Sequence, residues 1–68
     1  MLFVMYRKIN GCWEPIGYTW DSELEADIRD RINRYNENGR FSIDSVCPEA
    51  DINDLPKLTW ETTKKLIF

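Results

Sequence analysis

The sequence has no histidine, two cysteines and three glycines among its 68 residues. Without histidine, a mixed cysteine–histidine zinc site cannot form, and a cysteine nucleophile lacks its usual base. The glycines stand alone, so no glycine-rich phosphate-binding loop is present. Acidic runs at 21–26 and 51–56 lack the glycine that a calcium loop requires at its sixth position. These absences predict a protein that is not an enzyme and uses no metal, cofactor or small-molecule substrate.

Long apolar runs are also absent. The opening stretch, residues 1–6, is apolar but too short to cross a bilayer, and it lacks the basic residues and cleavage site of a signal peptide. We therefore expect a cytoplasmic protein that does not associate with membranes. The formal net charge is −3, so the chain as a whole has no basic excess that would attract nucleic acid.

Apolar and aromatic side chains, in contrast, are plentiful, at 43% and 13% of the residues. Ordering a chain of this length costs on the order of 100 kcal/mol of conformational freedom, at roughly 1.5 kcal/mol per residue. The apolar content is sufficient for a core that offsets this cost, and it is too high for a disordered chain. Residues 1–68 therefore predict a single small α+β domain.

A β-hairpin is the strongest local prediction. Asn10 and Gly11 both tolerate the positive φ angles of a type I′ turn between two strands, 2–9 and 12–18. The turn predicts that Ile9 pairs with Cys12, Arg7 with Glu14, Met5 with Ile16, and Phe3 with Tyr18. Pro15 cannot donate a hydrogen bond to a neighbouring strand, so the second strand should form a sheet edge. Gly17 weakens this strand or marks a β-bulge.

Residues 21–38 predict the main helix. Ser22 and Glu25 have the spacing of a capping box, and Asn38 with Gly39 supplies a left-handed stop. The predicted buried stripe is Leu24, Ile28, Ile32 and Tyr35, with Arg31 beside it. The predicted ion pairs, four residues apart, are Glu25–Arg29, Asp27–Arg31 and Asp30–Arg34.

Residues 40–46 alternate like a half-buried third strand, and 49–55 suit a turn of helix. The last segment fits a short helix capped by Thr59, which we favour, or a fourth strand. The side chains that such a helix would place on one side are Trp60, Thr63, Leu66 and Ile67. A right-handed connection through the main helix predicts a three-stranded antiparallel sheet in the order 2-1-3, with the helix on one face.

This strand order separates Cys12 from Cys47 by more than a disulfide can span. We expect two free thiols. We also expect both cysteines to act as small core hydrophobes, which is the common environment of a free cysteine.

The hairpin carries more apolar surface than one helix can cover. In the predicted register, large side chains occur on both faces, so the second face either meets the C-terminal segment or stays exposed as an interaction surface. Binding energy concentrates in large aromatic anchors. The residues that we predict to bind a partner are Tyr6, Lys8, Trp13, Trp20 and Trp60.

The leading functional hypothesis is a non-catalytic protein-binding module, an inhibitor or adaptor of a larger protein, or a protein that self-associates as a homodimer. Edge pairing through the third strand or the Pro15 strand is a second mode of binding. Small acidic domains of this kind are frequent among bacteriophage and mobile-element proteins, and we expect such an origin from the class alone.

The alternative is a regulator that touches nucleic acid through hairpin aromatics and the arginine-rich end of the helix. Its contacts would be Tyr6, Lys8, Trp13, Arg31, Arg34 and Arg40. A small sheet with exposed rings can stack bases. The acidic balance of the chain favours a protein partner over nucleic acid.

Overall fold

The computed structural model describes residues 1–67, without the side chain of Ile67. Its elements in chain order are β1 (Leu2–Ile9), β2 (Cys12–Thr19), α1 (Ser22–Arg34), β3 (Phe41–Val46) and α2 (Trp60–Ile67). The strands form one antiparallel sheet in the order β2-β1-β3. This confirms the predicted α+β fold, the strand order, the edge position of β2 and the helical C-terminal segment. The predicted position of the Ile67 side chain lies outside the described residues.

The hairpin turn has the predicted left-handed geometry, with φ of 53° at Asn10 and 81° at Gly11. Next to the turn the register is as predicted, because Ile9 pairs with Cys12 and Arg7 with Glu14.

A β-bulge then changes the register. Tyr6 pairs with Pro15 and Met5 with Gly17, which leaves Ile16 as the extra residue of β2. The predicted pairs Met5–Ile16 and Phe3–Tyr18 are therefore wrong. Beyond the bulge Phe3 pairs with Thr19, while Tyr18 pairs with Val4. Cross-strand partners share a face of the sheet, so the bulge moves Tyr18 to the opposite face from Phe3.

Helix α1 begins one residue earlier than a Ser22 cap would place it. Asp21 is the N-cap, and its Oδ1 accepts from the backbone N–H groups of Glu23 at 2.9 Å and Leu24 at 3.3 Å. A carboxylate at this position also interacts favourably with the helix dipole. The predicted capping box of Ser22 and Glu25 is wrong, because Ser22 is already helical.

The helix also ends earlier than predicted, at Arg34 instead of residue 38. Asn36 takes the left-handed conformation, with φ of 58°. Its N–H donates to Asn33 O at 3.3 Å and the next N–H, of Glu37, to Ile32 O at 2.8 Å, which is the Schellman pattern. The predicted stop at Gly39 is wrong, since the left-handed residue lies before it.

The predicted pattern of side chains along α1 is largely confirmed. Leu24, Ile28 and Ile32 are buried. Tyr35 is 49% exposed, because the helix has already ended and the ring no longer lies on its buried side. All three predicted acid–arginine ion pairs form: Glu25–Arg29, Asp27–Arg31 and Asp30–Arg34.

The core lies between the sheet and the two helices. Its buried members are Phe3, Met5, Leu24, Ile28, Ile32, Phe41, Ile43 and Leu58, with Ile16 and Leu66 packed against them. Since Leu58 and Leu66 belong to the same core as Leu24 and Ile28, α2 lies beside α1 on one face of the sheet.

The opposite face is covered by the segment between β3 and α2. Ala50, Ile52 and Leu55 line a cleft together with Val4 and Tyr6, and Leu2 and Val4 are buried. Neither predicted outcome for this face is right, because the covering segment precedes α2. Residues 49–55 form two isolated turns instead of a helical turn, closed by Ala50 N to Cys47 O and Leu55 N to Ile52 O.

Both thiols are free, as predicted. Both are also exposed, so the prediction that they are core side chains is wrong. Cys12 lies beside the hairpin turn, and Cys47 directly follows β3, where the chain leaves the sheet.

Candidate partner-binding site

The five predicted binding residues do not form one surface. The structure divides them into three groups: the pair Lys8 and Trp13 near the hairpin turn, Tyr6 by itself, and the pair Trp20 and Trp60 at the other end of the sheet.

Lys8 and Trp13 are cross-strand neighbours. The Lys8 Nζ lies 5.7 Å from the centroid of the Trp13 ring, within range of a cation–π interaction. The indole is 44% exposed and, with Ile32 and Phe41, lines a cleft of about 170 Å³. Part of this ring is therefore already engaged within the chain.

Tyr6 is half-buried and lies opposite Pro15. It lines a different cleft, of about 300 Å³, beneath the segment that crosses the sheet. Tyr6 and Trp13 are therefore not a continuous stacking platform, although the sequence places them on one side of the hairpin.

Trp20 and Trp60 line the same cleft, which has a volume of about 470 Å³. We call it the aromatic cleft and define it by its lining residues: Thr19, Trp20, Asp21, Leu24, Lys57, Leu58, Thr59 and Trp60. The two indoles are 50% and 46% exposed. Leu24 and Leu58 are buried members of the core, so the base of the cleft is continuous with the core.

Local hydrogen bonds hold the Trp20 wall of the cleft. Thr19 is buried, and its Oγ1 accepts from the Asp21 N–H at 3.0 Å. Asp21 in turn caps α1. Because the residues on both sides of Trp20 are tied down, its backbone is held at the junction of β2 and α1 while its indole projects outward.

The Trp60 wall is held in a similar way. Thr59 and Thr62 cap α2 reciprocally: the Thr62 N–H donates to Thr59 Oγ1 at 3.2 Å, and the Thr59 N–H donates to Thr62 Oγ1 at 2.9 Å. This confirms Thr59 as the helix cap. Trp60 is the first residue of α2, so the cap fixes the backbone that carries its indole.

The two walls meet because the chain before α2 pairs with β2. Tyr18 N donates to Pro56 O at 3.1 Å, and Leu58 N donates to Tyr18 O at 2.7 Å. The resulting parallel bridge joins Tyr18 to Lys57. A side chain at Gly17 would obstruct this approach, since its Cβ would lie 2.5 Å from Leu58 Cδ2.

The aromatic cleft is lined mainly by apolar and uncharged side chains. Its charged members are one carboxylate, Asp21, which caps a helix, and one ammonium group, Lys57. Within residues 1–67 no group of three or more histidine, cysteine or acidic side chains is placed to hold a metal ion. The cleft can accept apolar or planar groups between two indoles, with a cation at its rim.

Elsewhere on the surface, the pKa of Glu49 is lowered by a hydrogen bond that its carboxylate accepts from the Cys47 thiol. This pair is exposed and lies outside the aromatic cleft.

Comparisons with protein families, curated proteins and solved structures find no match to this chain. No helix of residues 1–67 has the length and apolar character needed to cross a membrane.

The arginines of the nucleic-acid alternative each have a carboxylate partner. Arg31 pairs with Asp27 at 2.8 Å, Arg34 with Asp30, and Arg40 with Glu37 at 3.1 Å. Phosphate binding depends on positive charge that is not already neutralised. The end of α1 therefore offers a phosphate backbone less attraction than its sequence indicates.

Sequence reasoning identified the two tryptophans but not the rest of the cleft. Lys57 lies in the segment between β3 and α2 and belongs to no periodic pattern, and Asp21 and Leu24 belong to another part of the chain. The one available signal was Gly17, since a glycine within a strand often marks the close approach of another segment.

Proposed function

We propose that this chain is a non-catalytic protein-binding module, an inhibitor or adaptor of a larger protein, whose binding site is the aromatic cleft. The observation that supports this proposal is the placement of two half-exposed indoles across one cleft whose base is core. Isolated exposed apolar residues are normal on protein surfaces. Two tryptophans facing a shared concavity form the kind of anchor site that carries most of the energy of an interface.

The available binding energy can be estimated from the exposed indole surface. A tryptophan side chain has roughly 200 Å² of surface, so about 100 Å² remains exposed on each ring. At about 25 cal/mol per Å², covering one ring contributes roughly 2–3 kcal/mol. Loss of either ring should therefore weaken binding by about 30-fold to 150-fold.

The nucleic-acid alternative receives less support. It depends on the rings near the hairpin turn and on the basic end of α1, yet Tyr6 and Trp13 line separate clefts and the arginines are paired. The proposed place of action is the cytoplasm, and a bacteriophage or mobile-element origin stays an expectation from the class alone.

The test compares three tryptophan variants of the intact chain. Tagged wild type, Trp20→Ala, Trp60→Ala and Trp13→Ala are used for affinity capture from the native cell, and the captured protein is then purified. Its affinity is measured by calorimetry against each variant. Trp13→Ala is the matched control, because its indole has similar exposure but lies near the hairpin turn.

We expect the purified partner to bind wild type and Trp13→Ala with similar affinity, and to lose about 30-fold or more with each cleft variant. Circular dichroism should show that all variants remain folded. If both cleft variants bind the partner with the affinity of wild type, the aromatic cleft is refuted as the site. Capture of labelled RNA or DNA in a salt-sensitive manner would favour the alternative.

A further inference from the structure

The outer edge of β3 is unpaired. In the β1–β3 ladder, Lys8 N donates to Arg40 O at 2.8 Å, so Lys8 and Arg40 are a hydrogen-bonded pair. Antiparallel ladders alternate hydrogen-bonded and non-hydrogen-bonded pairs. The backbone groups of Phe41, Ile43 and Ser45 therefore point away from β1.

These outward groups are mostly free. The Phe41 N–H donates to Glu37 O at 2.9 Å. Among residues 1–67, no backbone hydrogen bond satisfies the outward N–H and C=O groups of Ile43 and Ser45. A strand edge of this kind is a template for another strand.

The opposite edge of the sheet is protected. Pro15 is a non-hydrogen-bonded residue of β2, so the position that would offer an outward N–H has none. The bulge at Ile16 interrupts the edge, and Tyr18 is already bonded to the segment that carries Pro56 and Leu58. The described part of β3 has no proline, no bulge and no covering segment. One edge is thus closed and the other is open.

We propose that the β3 edge pairs with β3 of a second copy of this chain, antiparallel and centred on Ile43. The two three-stranded sheets would then form one continuous sheet across a two-fold axis. This surface is separate from the aromatic cleft, so the inference does not depend on the proposed function.

The self-complementarity of β3 supports this occupant and this register. With Ile43 opposite Ile43 of the second copy, the two Ile43 residues exchange both backbone hydrogen bonds. The Ser45 N–H of each copy donates to the Phe41 O of the other. The Phe41 N–H is already bonded within its own chain, so each Phe41–Ser45 pair forms one backbone hydrogen bond instead of two, and the dimer ladder has four.

Side chains favour the same register. It places Ser42 opposite Asp44 of the second copy, on both sides of the axis, so a hydroxyl donor faces a carboxylate. Both side chains already interact within one chain, where Ser42 Oγ donates to Asp44 Oδ2 at 3.2 Å. A shift of the two-fold axis from Ile43 to Asp44 would place the two Asp44 carboxylates opposite each other, which is unfavourable. A shift of the axis to Ser42 would pair Phe41 with Ile43 of the second copy and leave only two backbone hydrogen bonds between the strands, because the Phe41 N–H is already used.

The first measurement is hydrogen exchange of wild type by NMR at increasing protein concentration, beside sedimentation equilibrium. Dimerisation should slow the exchange of the Ile43 and Ser45 amides as concentration rises. The Ser42 and Asp44 amides point toward β1, so they should be protected at every concentration and serve as internal controls. The Trp13 amide on the other edge should not respond.

The second measurement is a charge comparison at one position. Ser42→Asp places a carboxylate opposite Asp44 of the second copy, and Ser42→Lys places an ammonium group there. We expect the dimer dissociation constant to rise by about tenfold in the first variant and to fall by a similar factor in the second. As controls, Asn53→Asp and Asn53→Lys introduce the same charges in the exposed segment that follows β3. Neither should change the dimer dissociation constant appreciably.

Three results would overturn the inference. One is a wild-type chain that stays monomeric up to about 1 mM, the weak limit of specific association; an edge filled by another protein's strand would give this result. Another is dimerisation without slower exchange at Ile43 and Ser45. The third is a dissociation constant that responds to Trp20→Ala but not to the charge at residue 42, since the dimer would then use the aromatic cleft.

Discussion

Replacement of Gly17 by alanine tests the contact that joins β2 to the chain before α2. A Cβ at this position would lie 2.5 Å from Leu58 Cδ2, 2.9 Å from Leu58 Cγ and 3.2 Å from Pro56 O. Leu58 is a buried member of the core, so its side chain has little room to move. The bridge between Tyr18 and Lys57 would also be strained, because the backbone of Pro56 lies within the crowded region.

The expected cost follows from overpacking. An added methyl group in a packed core typically lowers the free energy of unfolding by about 1–3 kcal/mol. Part of this is offset by about 0.4–1 kcal/mol, because alanine restricts the unfolded chain more than glycine does. The total free energy of unfolding of a chain of this size is roughly 3–10 kcal/mol. A net loss of about 1–2 kcal/mol is therefore readily measured.

A double-mutant cycle with Leu58→Ala shows whether Leu58 is the cause. Leu58→Ala by itself should cost about 2–5 kcal/mol. It also removes the two closest atoms, Cγ and Cδ2, so Gly17→Ala should cost little in that background. We expect a coupling energy of about 1 kcal/mol or more in favour of the double variant.

The assay is urea unfolding followed by tryptophan fluorescence and circular dichroism, in the cold and with the same sulfate concentration in all samples to keep the weakest variant folded. Additivity of the two substitutions within about 0.5 kcal/mol would refute the contact as the reason for glycine at this position. A Gly17→Ala variant as stable as wild type would do the same.

Three further predictions concern the turns and the surface. Gly11→Ala should lower the free energy of unfolding by about 1–2 kcal/mol, because φ is +81° there, whereas Gly39→Ala, in open space without a positive φ, should be neutral or slightly stabilising; equal thermal melts of the two variants would contradict this. Asn36→Gly should stabilise by up to about 1 kcal/mol in urea unfolding, since its φ is 58°; a loss of stability would argue against the helix stop. The hydrogen bond from the Cys47 thiol lowers the pKa of Glu49. The contribution of this hydrogen bond to stability is therefore present above the ordinary carboxyl pKa and is lost as the pH falls through the lowered pKa. Cys47→Ala should return the Glu49 pKa toward its ordinary value in an NMR titration, and an unchanged titration would rule out the hydrogen bond.

The sequence predicted the secondary structure best where one local interaction dominates. Asn10 and Gly11 favour a single turn type whatever surrounds them, and the i,i+4 spacing of acids and arginines along α1 brings each pair together once the helix forms. The helix boundaries were less predictable, because several residues compete to cap each end. Asp21 and Ser22 are both good caps, and Asn36 and Gly39 both favour a left-handed stop. Packing decides between them.

The residues that line the aromatic cleft could not be predicted from hydrophobic periodicity. The three tryptophans have similar exposure, yet only two face one cleft. Their meeting requires the segment before α2 to cross the second face of the sheet and pair with β2. That path is set by contacts between residues far apart in the chain, such as Tyr18 with Pro56 and Leu58.

By itself, the sequence determined the α+β class and the strand order, because turn chemistry and hydrophobic spacing favour particular elements and the chain connection restricts their order. Tertiary structure decided the register beyond the bulge, which edge of the sheet is closed, and which aromatic rings share a cleft. A one-residue bulge exchanges the faces of all residues that follow it in a strand. Next to the bulge, Gly17 lies against Leu58, and only the folded chain brings these two residues together.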